Sequence, residues 1–93
     1  MIILNVFIEV RADKEEEFLA SVHDLLDPSR QEEGNILYSL FKQTDAEQKY
    51  VTIEHWQDQQ AVDQHMNSEH FKSFAVQLKD YVVKPLDFKK YEA

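Results

Sequence analysis

From Met1 to Val10 the chain is apolar at every position except Asn5 and Glu9. A short run this rich in β-branched and aromatic residues predicts a strand over Ile2 to Val10, covered on both faces. The period then changes: Phe18, Leu19, Val22, Leu25 and Leu26 recur at helical spacing behind Asp13-Lys14-Glu15-Glu16. Asp13 is placed to cap, with a carboxylate three residues on, so a helix is expected from about Lys14. Pro28 has no N–H and disfavours helical geometry at Asp27, so the helix either ends there or restarts with Asp27 as cap and Pro28 in its first turn. Gly34, the only glycine, falls where a helix needs a left-handed stop. Asn35 to Lys42 reads as a second strand with Ile36, Tyr38 and Leu40 on one face, and the polar residues Gln43 to Gln48 form a turn. Lys49 to Trp56 is a third strand, with Tyr50, Thr52, Glu54 and Trp56 on one side and Val51, Ile53 and His55 on the other.

The last third of the chain returns to helical spacing. Asp58 suits the cap of a short helix with Ala61, Val62 and His65 on one stripe, and Ser68 that of a longer one bearing Phe71, Phe74, Ala75, Leu78 and Val82. Pro85 closes the helical region, and Leu86, Phe88 and Tyr91 have strand character. The order is βαββαβ, in one domain spanning residues 1–93. A four-stranded sheet with helices on one face leaves its other face bare. Because strands one and three are apolar on both faces and no element remains to cover the second, a homodimer packed sheet to sheet is expected.

Charge narrows the partners. Ten Lys and Arg stand against eighteen Asp and Glu, a net charge of −8, which repels phosphate backbones and anionic lipid, so neither nucleic acid nor membrane is expected as a partner. The first 33 residues carry nine of the acids and three of the bases, the pattern of a solvated helix face. With no cysteine, disulfides, thiol catalysis and Cys-type zinc sites are excluded. The apolar start lacks a basic lead and is broken by Asn5 and Glu9, unlike a signal peptide or a span, so a cytoplasmic location is expected.

No Walker loop, dinucleotide glycine motif, G-x-S-x-G or His-Glu zinc helix is present. Of the four histidines, at 23, 55, 65 and 70, no two share adjacent turns of one helix, so no metal site is expected. His65 on its apolar stripe is either a packed core residue or a catalyst. His70, in the first turn of its helix, is held toward the neutral imidazole by the helix dipole and suits proton transfer. Asn5, polar within an apolar strand, needs partners for its amide: a structural bridge or a ligand carbonyl. Trp56 offers a flat wall to an aromatic ligand or else plugs the core. Glu54, beside Thr52 and Trp56 on an inward face, needs a partner when buried, with His65 or His70 the attractive choice and Lys or Arg the plain one.

Three motifs carry a resemblance: Ser29-Arg30-x-Glu32-Glu33-Gly34-Asn35, Glu54-His55-Trp56-x-Asp58-x-x-Ala61 and His65-x-x-Ser68-x-His70-Phe71. With them the chain resembles, nearly end to end, the antibiotic biosynthesis monooxygenase domain family and its small quinol-monooxygenase-like members. The resemblance implies a ferredoxin-like α+β fold dimerising into a shared barrel, with a pocket between sheet and helices in each subunit. Similar proteins include oxygenases that use O₂ with no metal or flavin, haem degraders and an isomerase of a phosphorylated metabolite. Thr52 and Val62 stand where the polyketide oxygenases have Asn and Tyr, leaving Trp56 in common, and Ala75 stands where the haem degraders have their ligand His. The expectation is a cofactor-independent monooxygenase of a small phenol or quinol. Asn5, Trp56, His65 and His70 are its catalytic residues, and Thr52, Glu54, Phe71 and Arg30 line its substrate site. The alternatives are an isomerase, with Arg30 holding any phosphate, and a non-catalytic ligand-binding dimer.

Overall fold

The computed structural model describes residues 1–93. Strands β1 (Ile2–Glu9), β2 (Asn35–Lys42), β3 (Lys49–Trp56) and β4 (Asp87–Glu92) and helices α1 (Glu15–Arg30), α2 (Gln59–Met66) and α3 (Glu69–Leu78) follow in the order βαββααβ. The strands form one antiparallel sheet in the order β2-β3-β1-β4, the ferredoxin-like arrangement with the first strand at the centre. Alternation along β1 and β3 sends Ile2, Leu4, Val6 and Ile8, with Tyr50, Thr52, Glu54 and Trp56, under the helices. There they meet Phe18, Val22 and Leu25 of α1 and Phe74 and Leu78 of α3 in a single core. Each fully buried side chain of this size contributes roughly 1.5–3 kcal/mol, so the helix-facing side of the sheet carries the fold's stability.

The opposite face is ordered in rows set by the strand register. Leu37, His55, Ile3 and Tyr91 form one row, Ser39, Ile53, Asn5 and Lys89 the next, and Phe41, Val51, Phe7 and Asp87 the third. Phe7, Phe41, Leu37 and Tyr91 are exposed. Thus β1 and β3 are apolar on both sides, but within the chain only one side is covered.

Several local expectations are corrected. Asp13 takes the Arg11 guanidinium at 2.9 Å and caps nothing; a 3₁₀ turn over Ala12–Lys14 precedes α1, which starts at Glu15 without a side-chain cap. Pro28 neither ends nor restarts the helix, which runs through it to Arg30. This close to the C-terminus its missing N–H removes a single rung. Gly34 is not left-handed, since no glycine has positive φ; a Cβ there would lie 2.3 Å from Ala61 Cβ, so glycine serves to let α2 approach the α1–β2 turn. A bulge between Asn35 and Leu37 leaves Ile36 as the extra residue, exposed instead of sharing the inward face with Tyr38. Helix α3 stops at Leu78, so Val82 is not on it and bridges Val10 instead. The caps at Asp58 and Ser68 are present, accepting from the Ala61 and Phe71 amides.

Candidate active site

Three segments converge at one end of the core. The turn after α1 supplies Glu32, the last turn of α2 supplies His65 and the first turn of α3 supplies His70. Gly34 permits the first two to meet, because α2 packs against that turn where no side chain intervenes. Ser68 links the second and third: its hydroxyl donates to the His65 carbonyl at 2.6 Å and accepts from the Phe71 amide. One carboxylate oxygen, Glu32 Oε2, lies 2.7 Å from His65 Nδ1 and 2.8 Å from His70 Nε2. A carboxylate only accepts, so both ring nitrogens facing it carry hydrogens. The proton of His65 therefore sits on Nδ1, and Nε2 holds a bare lone pair; that Nε2 is buried and has no hydrogen-bond partner.

The imidazole of His65 is enclosed by aromatic rings, with centroid distances of 4.7 Å to Trp56, 5.1 Å to Phe71 and 5.5 Å to Tyr38. Burial lowers its pKa, against the opposing pull of Glu32, so the ring is neutral at pH 7. Tyr38 stands edge-on to Trp56, and its phenol is pushed well above the usual range by burial and by the nearby Glu54 and Glu32 carboxylates.

Beside His65 lies a cavity of about 20 Å³, walled by Val6, Ile8, Tyr38, Thr52, Glu54, His65, Met66, Phe71, Phe74, Leu86 and Phe88. That is room for about one water molecule. Its polar groups are few, and no Lys or Arg is among them. Glu54 does not pair with either histidine as expected. Its two oxygens accept from Thr52 Oγ1 at 3.0 Å and Trp56 Nε1 at 3.1 Å, because alternation puts all three side chains on one face of β3. Burial raises the Glu54 pKa despite these two donors.

The structure thus brings together Thr52, Glu54, His65 and Phe71 around the cavity, with His70 reached through Glu32. Trp56 is fully buried behind His65 and is not in the cavity wall. Asn5 lies apart: it pairs with Ile53 and Lys89 on the opposite face of the sheet. Arg30 is also elsewhere, donating from Nε to the Tyr38 carbonyl at 2.9 Å and lining a groove between α1 and β2. Sequence reasoning overlooked Glu32 as the partner of both histidines. The available signal was its place two residues before the sole glycine, in a turn that a small residue draws against a helix. Glu32, His65 and His70 also offer three metal-ligating atoms within 4.8 Å of one another.

The site is a carboxylate-fixed imidazole beside a buried, mostly apolar cavity in a small ferredoxin-like α+β domain. The antibiotic biosynthesis monooxygenase family model matches residues 1–77, and the chain belongs to that family. It is 38% identical over 92 residues to the Bacillus subtilis (strain 168) protein named "Putative monooxygenase YcnE", covering 99% of this chain and 97% of that protein. Among solved structures it is similar to a conserved protein from Methanosarcina mazei Go1, with a TM-score of 0.95 and 26% identity over 98% of this chain and 90% of that one. It also shares the fold of a crystal structure described as an antibiotic biosynthesis monooxygenase, with a TM-score of 0.94 and 22% identity over 100% of this chain and 98% of the other. A monooxygenase-family role follows. No helix is long and apolar enough to cross a membrane.

Proposed function

We propose that the protein is a cofactor-independent monooxygenase that oxidises a small phenolic or quinol-type substrate with O₂, with His65 as the base. The observation that supports this reading is the Glu32 contact to Nδ1, which leaves Nε2 without a partner on a neutral, buried imidazole that lines a mostly apolar cavity. A base whose other nitrogen is fixed by a carboxylate has one tautomer and one orientation available. Nε2 takes the phenolic proton, and the resulting anion passes an electron to O₂. Recombination of the radical pair forms a C–O bond, the His65 imidazolium returns its proton to the peroxide, and loss of water from the resulting hydroperoxide completes the reaction. For a hydroquinone the balance is substrate plus O₂ to hydroxyquinone plus water, with the electrons drawn from the ring. Thr52 and Glu54 orient the substrate oxygen, while Trp56 backs His65 and holds Glu54 without touching the substrate.

A ligand-sized pocket has about 300 Å³ or more, so the substrate enters by displacing side chains. The movable wall is Phe71, Leu86 and Phe88, the last on the exposed edge strand β4. The same small volume favours a second reading, a non-catalytic dimer whose pocket is simply filled. The isomerase alternative with a phosphorylated substrate is weakened, because Arg30 lines the other groove.

The active form in this reading is a homodimer joined through the outer sheet face, whose two apolar rows flank the row containing Asn5. Asn5 then serves the interface, not the pocket. Oxygen consumption by the metal-stripped protein over hydroquinones, catechols and anthrones tests the reading. Uptake abolished in His65→Ala supports it, and no uptake above background by the wild type leaves the filled-pocket dimer.

A further inference from the structure

Glu32 has an uncommon environment for a carboxylate at the edge of a core. Its ionic contacts are His65 and His70, and no Lys or Arg joins them. Two imidazoles and one carboxylate, delivered by three separate elements, form a donor set used by zinc. Oxygen-only preferences exclude calcium and magnesium from such a site, and two imidazole ligands suit borderline first-row cations. Donors bound tetrahedrally to one ion at about 2.0–2.1 Å stand about 3.3–3.4 Å apart, so the Glu32 contacts of 2.7 and 2.8 Å open by roughly 0.5–0.7 Å. His70 sits in the first turn of α3 with its side chain partly exposed, and can swing to close the third side. Partial exposure of Glu32 and His70 leaves the remaining coordination position to water.

We propose that Glu32 Oε2, His65 Nδ1 and His70 Nε2 form a binding site for a borderline divalent transition cation of the zinc class. The ion replaces the two hydrogens that these nitrogens direct at Glu32. His65 can bind through Nδ1 as a neutral ring only by carrying its hydrogen on Nε2, which removes the lone pair from the cavity side. Zinc would therefore switch off a base acting through Nε2. This last consequence rests on the proposed function, whereas the site itself does not.

Calorimetric titration of metal-stripped protein with Zn²⁺ tests the site without any turnover assay. Expected are one zinc ion per chain and a zinc-dependent rise in melting temperature. Altering groups that merely support metal ligands costs 10–100-fold in affinity, so losing a ligand, in His70→Ala or Glu32→Gln, weakens binding by at least about tenfold. His23→Ala and His55→Ala bind as the wild type does. Absence of zinc binding at millimolar concentration, or binding retained in both His70→Ala and Glu32→Gln, overturns the proposal. Neither result bears on oxygen uptake by the metal-stripped protein, so the two readings fail separately.

Discussion

Two of the molecule's hollows are opposite in character. The groove between α1 and β2 has a volume of about 750 Å³ and is lined by Leu19, Leu26, Leu40 and Tyr50 among others, whereas the cavity beside His65 has about 20 Å³. Yet four of the groove's polar side chains, Glu15, Arg30, Lys42 and Tyr50, already have partners. Glu15 accepts from the Tyr50 hydroxyl and from Lys42, and Arg30 holds the Tyr38 carbonyl. Burial and, after it, the Glu15 bond push the Tyr50 phenol up to about 12, so it stays neutral. The small cavity is instead lined by His65, whose Nε2 is unpartnered, and by Glu54, whose pKa is raised by burial. Reactive chemistry follows unsatisfied groups more closely than it follows volume.

The largest expected effect breaks the pairing that distinguishes the cavity. Glu32→Gln offers an amide that can donate to Nδ1 and hold the wrong tautomer, so oxygen uptake should fall by about 10²–10⁴, the range of general-base catalysis. Uptake within a few-fold of wild type would separate the base from Glu32. Next, Gly34→Ala forces a Cβ against Ala61; overpacking should cost about 1–3 kcal/mol in chemical unfolding. Ala61→Gly in the same chain should recover most of that loss, since the two positions share one contact.

A smaller effect concerns Glu54. Its folded pKa is raised, so its contribution to stability is fully present below the unfolded carboxyl value of about 4.3 and is lost as pH rises through the folded value. Glu54→Gln keeps an acceptor for Trp56 Nε1 and a donor for Thr52 Oγ1. It should therefore be more stable than wild type at neutral pH, with the gain vanishing toward pH 4 in melts across that range. The smallest effect belongs to the groove: His23→Ala should leave stability within about 0.5 kcal/mol and oxygen uptake unchanged. A large loss of uptake there would move the site to the groove.

Most of the fold was legible because its signals are local. Alternation in Tyr50, Thr52, Glu54 and Trp56 and the caps at Asp58 and Ser68 depend only on neighbours in sequence. Ile36 was misplaced because a bulge depends on the partner strand. Gly34 was misread because its requirement comes from Ala61, 27 residues away in the chain. The site was half legible for the same reason. His65, Glu54 and Thr52 could be assigned to inward stripes, but Glu32 meets His65 only after the α1–β2 turn has docked on α2. Asn5 shows the converse: as the polar member of an apolar strand it suggested a ligand, while strand parity places it on the other side of the sheet from the cavity.

The central claim is that His65 is a neutral base with its hydrogen on Nδ1 and its lone pair on Nε2. Nitrogen-15 chemical shifts of the histidine rings in metal-free protein at pH 7 read this directly. The account predicts a His65 signal of the Nδ1–H tautomer, lost or inverted in Glu32→Gln. A His65 ring found as the Nε2–H tautomer, or as imidazolium, in the wild-type protein would contradict it.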